Sequence, residues 1–242
     1  MKLSNALALG MISSLIAIAA GVSLQTQVLA QSNDCLATPS IGYRCYQDRR
    51  IRARSGYPGS DTGSFSYSPP AGYRLMDYRE TVHARFGEGG NLNVNFIRGE
   101  SVILIRRSLG NYNRALSERR SRVESYAQFP IAGLPIRVGG ETEVIERALS
   151  ENSSRLALLE NSYSNVDRVN ASVTVRGRCI RYVLGICVDN QGGKYEGTVR
   201  FFLEYVGTPA GIEAANDALL RRVDAALQRF EQEVQAWRQQ HK

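Results

Sequence analysis

The chain carries 242 residues, with 30 Lys+Arg against 23 Asp+Glu for a formal net charge of +7. About 210 residues remain behind the N-terminal segment described next, enough for one domain with a real core. The basic excess is almost wholly arginine, since Lys2, Lys194 and Lys242 are the only lysines; in a cytosolic protein it would raise nucleic acid as a partner, and the export signal excludes that reading.

Lys2 is followed by an apolar run from Ala6 to Leu24, broken by Gly10, Ser13, Ser14 and Gly21, and then by Gln25 to Ala30. This is the layout of a secretory signal over residues 1–30. The polar breaks and the Val28-Leu29-Ala30 ending favour cleavage after Ala30 over an uncleaved anchor. No later stretch is apolar for long enough to span a bilayer, so no transmembrane segment is expected after signal removal. The destination is the periplasm or the extracellular space.

An even cysteine count in an exported chain reads as disulfides. The cysteines form two close pairs, and the expected bridges are Cys35 with Cys45 and Cys179 with Cys187. Their spacings are not those of zinc ligands, and no histidine cluster accompanies them, so neither a metal nor a cofactor is predicted.

Residues 31–71 hold few aliphatic side chains and many Ser, Gly, Pro and Tyr, and read as a small disulfide loop followed by a flexible linker. Within it, Asp61-Thr62-Gly63-Ser64 matches the short string of aspartic proteases. It lacks apolar flanks and a second copy to share the proton, so it is read as a turn. Residues 72–242 are expected to form a single α+β domain.

From Tyr73 the pattern tightens. Val82, Ala84 and Phe86 alternate, Gly87 to Gly90 supplies a turn, and Leu92, Val94 and Phe96 alternate again. With Val102 to Ile105 this predicts an antiparallel three-stranded meander. Tyr112, Leu116, Arg119, Val123 and Tyr126 then form the thin stripe of a short helix, ended by Pro130 and Pro135. An extended segment from Ile131 to Val138 follows, and a second helix is expected up to about Asn161.

Val169, Ala171, Val173 and Val175 alternate with polar residues, as do Tyr195, Gly197, Val199, Phe201, Leu203 and Tyr205. The two limbs predict one long hairpin, turned at Asp189 to Gly193 and stapled at its far end by Cys179–Cys187. The chain closes with its clearest helix, capped by Thr208, with Pro209 in the first turn and a stripe through Ile212, Leu219, Val223, Ala226, Phe230, Val234 and Trp237. The fold expected is an antiparallel sheet, meander plus stapled hairpin, covered by two or three helices. The longest is C-terminal and lies on the face bearing Val173, Val199, Phe201 and Leu203.

Catalytic patterns are scarce. His83 alternates with apolar neighbours and should face solvent, His241 lies in the tail, and no metalloprotease, Walker or dinucleotide fingerprint occurs. The hairpin end stands out instead. Arg176, Arg178 and Arg181 recur beside Tyr182, and Tyr182 to Ile186 is unusually apolar for a tip. Guanidinium groups beside an aromatic suit carboxylates or phosphates. The expected function is a non-catalytic exported binding or structural protein, meeting an anionic envelope polymer, a lipid surface or an acidic protein through these residues. Its rivals are a secreted hydrolase built on two carboxylates, drawn from acids such as Glu80, Glu88, Glu100, Glu196 and Glu204, and a docking module using Trp237 and Phe230 on the last helix.

Overall fold

Period-two alternation runs on both sides of Gly87, and each half finds a different partner. In the computed structural model, which describes residues 35–37, 39–128 and 139–240, the described residues form eight strands and three helices. Strands β1 (Arg44–Ser55), β2 (Ser60–Tyr67), β3 (Tyr73–Phe86) and β4 (Glu88–Arg98) come first. Helices α1 (Ser101–Gln128) and α2 (Gly139–Leu158) follow. Next come β5 (Val166–Arg176), β6 (Arg178–Val183), β7 (Ile186–Gln191) and β8 (Gly193–Tyr205), and α3 (Pro209–Gln240) ends the chain. The secretory segment expected over residues 1–30 and the extended run from Ile131 to Val138 lie outside the described residues.

The class is α+β, with antiparallel sheets, a stapled hairpin and the longest helix at the C-terminus. The pairing of strands differs from the one the alternation led us to expect. β5 and β8 do not pair with each other; β8 is the centre of a sheet ordered β1-β8-β3, and β5 the centre of one ordered β2-β5-β4. The two sheets pack face to face. Val166 and Val169 of β5 share a core with Val199, Phe201 and Leu203 of β8, and Tyr67 of one sheet stacks on Phe201 of the other at 4.1 Å. A second cluster joins Ile51, Ala53 and Tyr195 to Val173 and Val175. A three-stranded sheet with one apolar face needs cover, and here the cover is another sheet.

Three expectations are corrected by this arrangement. Residues within 31–71 are not a linker, because β1 and β2 are edge strands whose Cys45, Ile51, Ala53 and Tyr67 are buried. Asp61 lies in β2 rather than in a turn, and its carboxylate accepts the Arg54 backbone N–H at 2.7 Å. Val102 to Ile105 is the first turn of α1 rather than a third meander strand.

The face carrying Val173, Val199, Phe201 and Leu203 is therefore closed to α3. That helix instead packs Val223 and Leu227 against Leu116 and Val123 of α1 and Ile145 of α2. Inside this bundle the Asn152 amide donates to Asn113 Oδ1 at 3.0 Å and Asn216 Oδ1 at 3.1 Å, a buried polar layer spanning all three helices. Such a layer fixes how the helices slide past one another. Thr208 caps α3 as expected, its hydroxyl accepting the Gly211 N–H at 3.1 Å.

The bundle and the sandwich meet at a narrow neck. Val206 packs there with Val102, Ile105, Leu109, Leu159 and Ile212. Beside it Arg74, nearly buried, donates to Ser101 Oγ at 3.0 Å and Asp167 Oδ1 at 3.3 Å. Glu204, one of the acids considered for a carboxylate pair, is also buried and accepts from Arg44 at 2.9 Å.

The connections at the opposite end are short. Gly87 alone carries the chain from β3 into β4 and so from one sheet to the other. Its φ is +82°, and a Cβ there would lie 2.4 Å from the Arg176 carbonyl oxygen, so only glycine fits. From this end, away from the helices, β6 and β7 leave the sandwich as a separate two-stranded ribbon.

Candidate functional site

A two-stranded ribbon cannot bury two faces, and this one has been given side chains that ask for burial. β6 and β7 pair only with each other among the described residues. Leu184 at the turn is 97% exposed, Ile186 69% and Tyr182 62%, with Ile180 and Val188 also more than half exposed. Contiguous exposed apolar surface of this kind marks a contact site. The tip does not fold back on the core.

The Cys179–Cys187 bridge closes the ribbon, with Cα atoms 5.8 Å apart, and Cys35–Cys45 closes the N-terminal loop at 5.3 Å. No cysteine is free. The ribbon turns through Leu184 and Gly185, whose φ values are +52° and +79°. Positive φ at both central residues is what a tight two-residue hairpin requires, and Asn-Gly is the usual solution. Leucine at the first of these positions is strained, because its side chain crowds the backbone in the left-handed region.

Three arginines follow the ribbon from root to tip. Arg176 ends β5, Arg178 opens β6 and donates to Gln191 Oε1 at 3.1 Å, and Arg181 stands opposite Asp189. All three are exposed, and Asp189 is the only acid between Arg178 and Gln191. Rise along a strand puts Arg181 about 10 Å and Arg178 about 20 Å behind Leu184. The structure thus brings Arg178, Arg181 and Tyr182 onto one stapled element with Arg176 at its base.

Sequence reasoning missed Tyr57. The turn between β1 and β2 braces the ribbon's root, where the Gly177 N–H donates to the Gly59 carbonyl at 3.1 Å. Side-chain hydrogen bonding between Tyr57 and Tyr182 raises the Tyr57 phenol above its ordinary value. Nothing in the local sequence ties residue 57 to residue 182. Ile180 and Val188 also belong to the apolar surface, and their period-two spacing from Tyr182 and Ile186 was the available signal.

Phe230 and Trp237 are placed elsewhere, on α3. Phe230 is buried, and Trp237 is half-buried in the last turns. They are not brought near the ribbon arginines.

Carboxylates on the outer face of the β1-β8-β3 sheet do not form a hydrolytic pair. An open groove of about 400 Å³ is lined by Asp48, Arg50, Arg52, His83, Glu196 and Thr198. Two hydrogen bonds from Arg200, at 2.8 and 3.0 Å, hold the Asp48 carboxyl below its usual range. Glu196 is held low by Lys194 at 2.9 Å, with Arg52 at 3.4 Å. Both acids are ionised at neutral pH, so neither holds a proton to give. Asp48 is level with Arg200, four residues from Glu196, so the two backbones lie about 13 Å apart along the strands, whereas glycosidic carboxyl groups stand about 5–10 Å apart. His83 faces solvent as expected and pairs with the Thr198 hydroxyl at 2.8 Å.

The middle of the outer face of the other sheet is uncharged. Ser64, Ser66, Asn93, Asn95, Asn170 and Ser172 line its shallow saddle, and the Thr62 and Thr174 hydroxyls pair at 2.8 Å. Among the described residues no cluster of His, Cys, Asp or Glu is arranged to hold a metal, and no helix is long and apolar enough to cross a membrane. Set against known protein families, curated proteins and solved structures, the chain matches none, so the ribbon is read from its own geometry and chemistry.

Proposed function

We propose that this is an exported, non-catalytic binding protein that attaches through the β6–β7 ribbon to an anionic component of the cell envelope. One observation carries the reading: three exposed arginines lie along a disulfide-closed ribbon that no other described strand pairs with. A ribbon held by a covalent bridge presents those cations with little ordering cost on binding. Guanidinium groups take carboxylate and phosphate in two-pronged hydrogen bonds. The signal-like N-terminus and the complete pairing of cysteines support export, since disulfides persist outside the cytoplasm.

The test is retention on anionic vesicles and on an acidic polysaccharide across a salt series. An arginine near an anionic surface contributes about 1 kcal/mol. The Arg176→Ala/Arg178→Ala/Arg181→Ala triple variant is therefore expected to bind roughly a hundredfold more weakly at low salt. Its salt dependence should also be shallower. Equal retention of wild type and triple variant at every salt concentration would overturn the assignment.

A further inference from the structure

Building on the ribbon as the attachment end, we propose that its tip enters the interfacial layer of an anionic lipid bilayer, with Arg181 at headgroup depth. Charge alone explains the arginines but not the residues ahead of them. An acidic polysaccharide offers nothing to a leucine 97% exposed at the end of a ribbon, and an acidic protein face would have to add an apolar pocket to its charge. A lipid surface offers phosphate and acyl chain in that order, and the ribbon carries their complements in that order.

The spacing fits. Arg181 lies about 10 Å behind Leu184, and interfacial segments bury their apolar side by about 5–10 Å at the headgroup boundary. Tyr182 sits between the two, where an aromatic ring with a polar tip is favoured. Depth is bounded by the backbone. The outer edges of β6 and β7 have no pairing partner among the described residues, so their N–H and C=O groups must stay in the hydrated layer. Shallow insertion of the turn alone meets that limit.

The turn itself points the same way. At φ +52° asparagine is comfortable and leucine is not. An apolar side chain held at a strained position directs attention to what it touches. The position also supplies a variant that keeps the fold, since Leu184→Asn relaxes the turn while removing the apolar tip.

The experiment uses the mature full chain and vesicles of phosphatidylcholine and phosphatidylglycerol mixed two to one. Leu184→Asn is expected to bind these at least tenfold more weakly with an unchanged circular dichroism spectrum. In a Trp237→Phe background, Leu184→Trp is expected to show a blue-shifted emission quenched by lipids brominated near the headgroup end of the acyl chain. If Leu184→Asn binds vesicles like wild type and the new tryptophan stays in water, insertion is overturned while arginine attachment stands. Binding to acidic polysaccharide with none to vesicles has the same meaning. Equal binding to uncharged vesicles would keep insertion and remove the arginine reading, and binding to neither ligand removes both. Self-association that Leu184→Asn abolishes, without vesicle binding, would assign the tip to a second copy of the chain and overturn the proposal.

Discussion

Arg74 shows how much one buried charge depends on its partners. Burial pulls its guanidinium below the ordinary arginine value, and Asp167 pulls it back. Ser101 donates to the same Asp167 oxygen at 2.8 Å, so two side chains at the neck share one carboxylate. The two partners differ in exposure, with side chains 9% exposed for Arg74 and 40% for Asp167. Removing Asp167 strands a buried cation, while removing Arg74 leaves an acid that already reaches water. Asp167→Ala is thus expected to cost about 2–3 kcal/mol in urea unfolding, and Arg74→Met clearly less. Equal costs would mean that burial of Arg74 does not set the asymmetry. Asp224 makes a second residue-scale case. Arg119 grips it with two hydrogen bonds of 2.8 Å and holds its carboxyl below the usual range. A carboxyl lowered on folding stabilises fully above its unfolded pKa of about 3.9, and that stability is lost as pH falls through the folded value. Asp224→Asn should therefore lower Tm at pH 7 and converge with wild type in acid.

At the scale of elements the two disulfides have different jobs. Cys45 is in the sandwich core, with Cys35 packed against the same cluster. Cys179 and Cys187 close a ribbon that pairs with nothing else described. A loop of this size is constrained by about 2–3 kcal/mol in the chain-entropy model. Replacing Cys179 and Cys187 by serine should leave the Tm of the domain nearly unchanged while amide exchange along β6 and β7 accelerates. Replacing Cys35 and Cys45 should lower the Tm itself. Calorimetry and hydrogen exchange on the two variants separate these outcomes. The elements also explain what could be read in advance. Alternation announces a strand and says nothing of its partner, so β5 and β8 were recognisable as strands but not as the centres of two sheets. β1 and β2 were hidden by their outward files, full of Arg and Ser, because each needs only two or three inward residues. Val102 to Ile105 is too short for periodicity to separate strand from helix. Its pattern in the fold, Val102 and Ile105 buried with Ile103 and Leu104 exposed, is the three-residue step of a helix.

Across the whole molecule, the candidate site was half legible. The arginines, the pairing of cysteines and the apolar tip were visible because they are contiguous. The brace from the β1–β2 turn was not, because it depends on β1 and β2 belonging to the core. The opposite placement of ribbon and helices has a mechanical meaning. All three helices join the sandwich at the end away from the ribbon, and β1, with 12 residues, spans about 40 Å of the distance between. The sandwich is thus a spacer between ribbon and helices, and α3, with 32 residues, is itself roughly 48 Å long. Whatever grips the ribbon would hold the point where the helices attach a full strand length away from itself, at the other end of the sandwich.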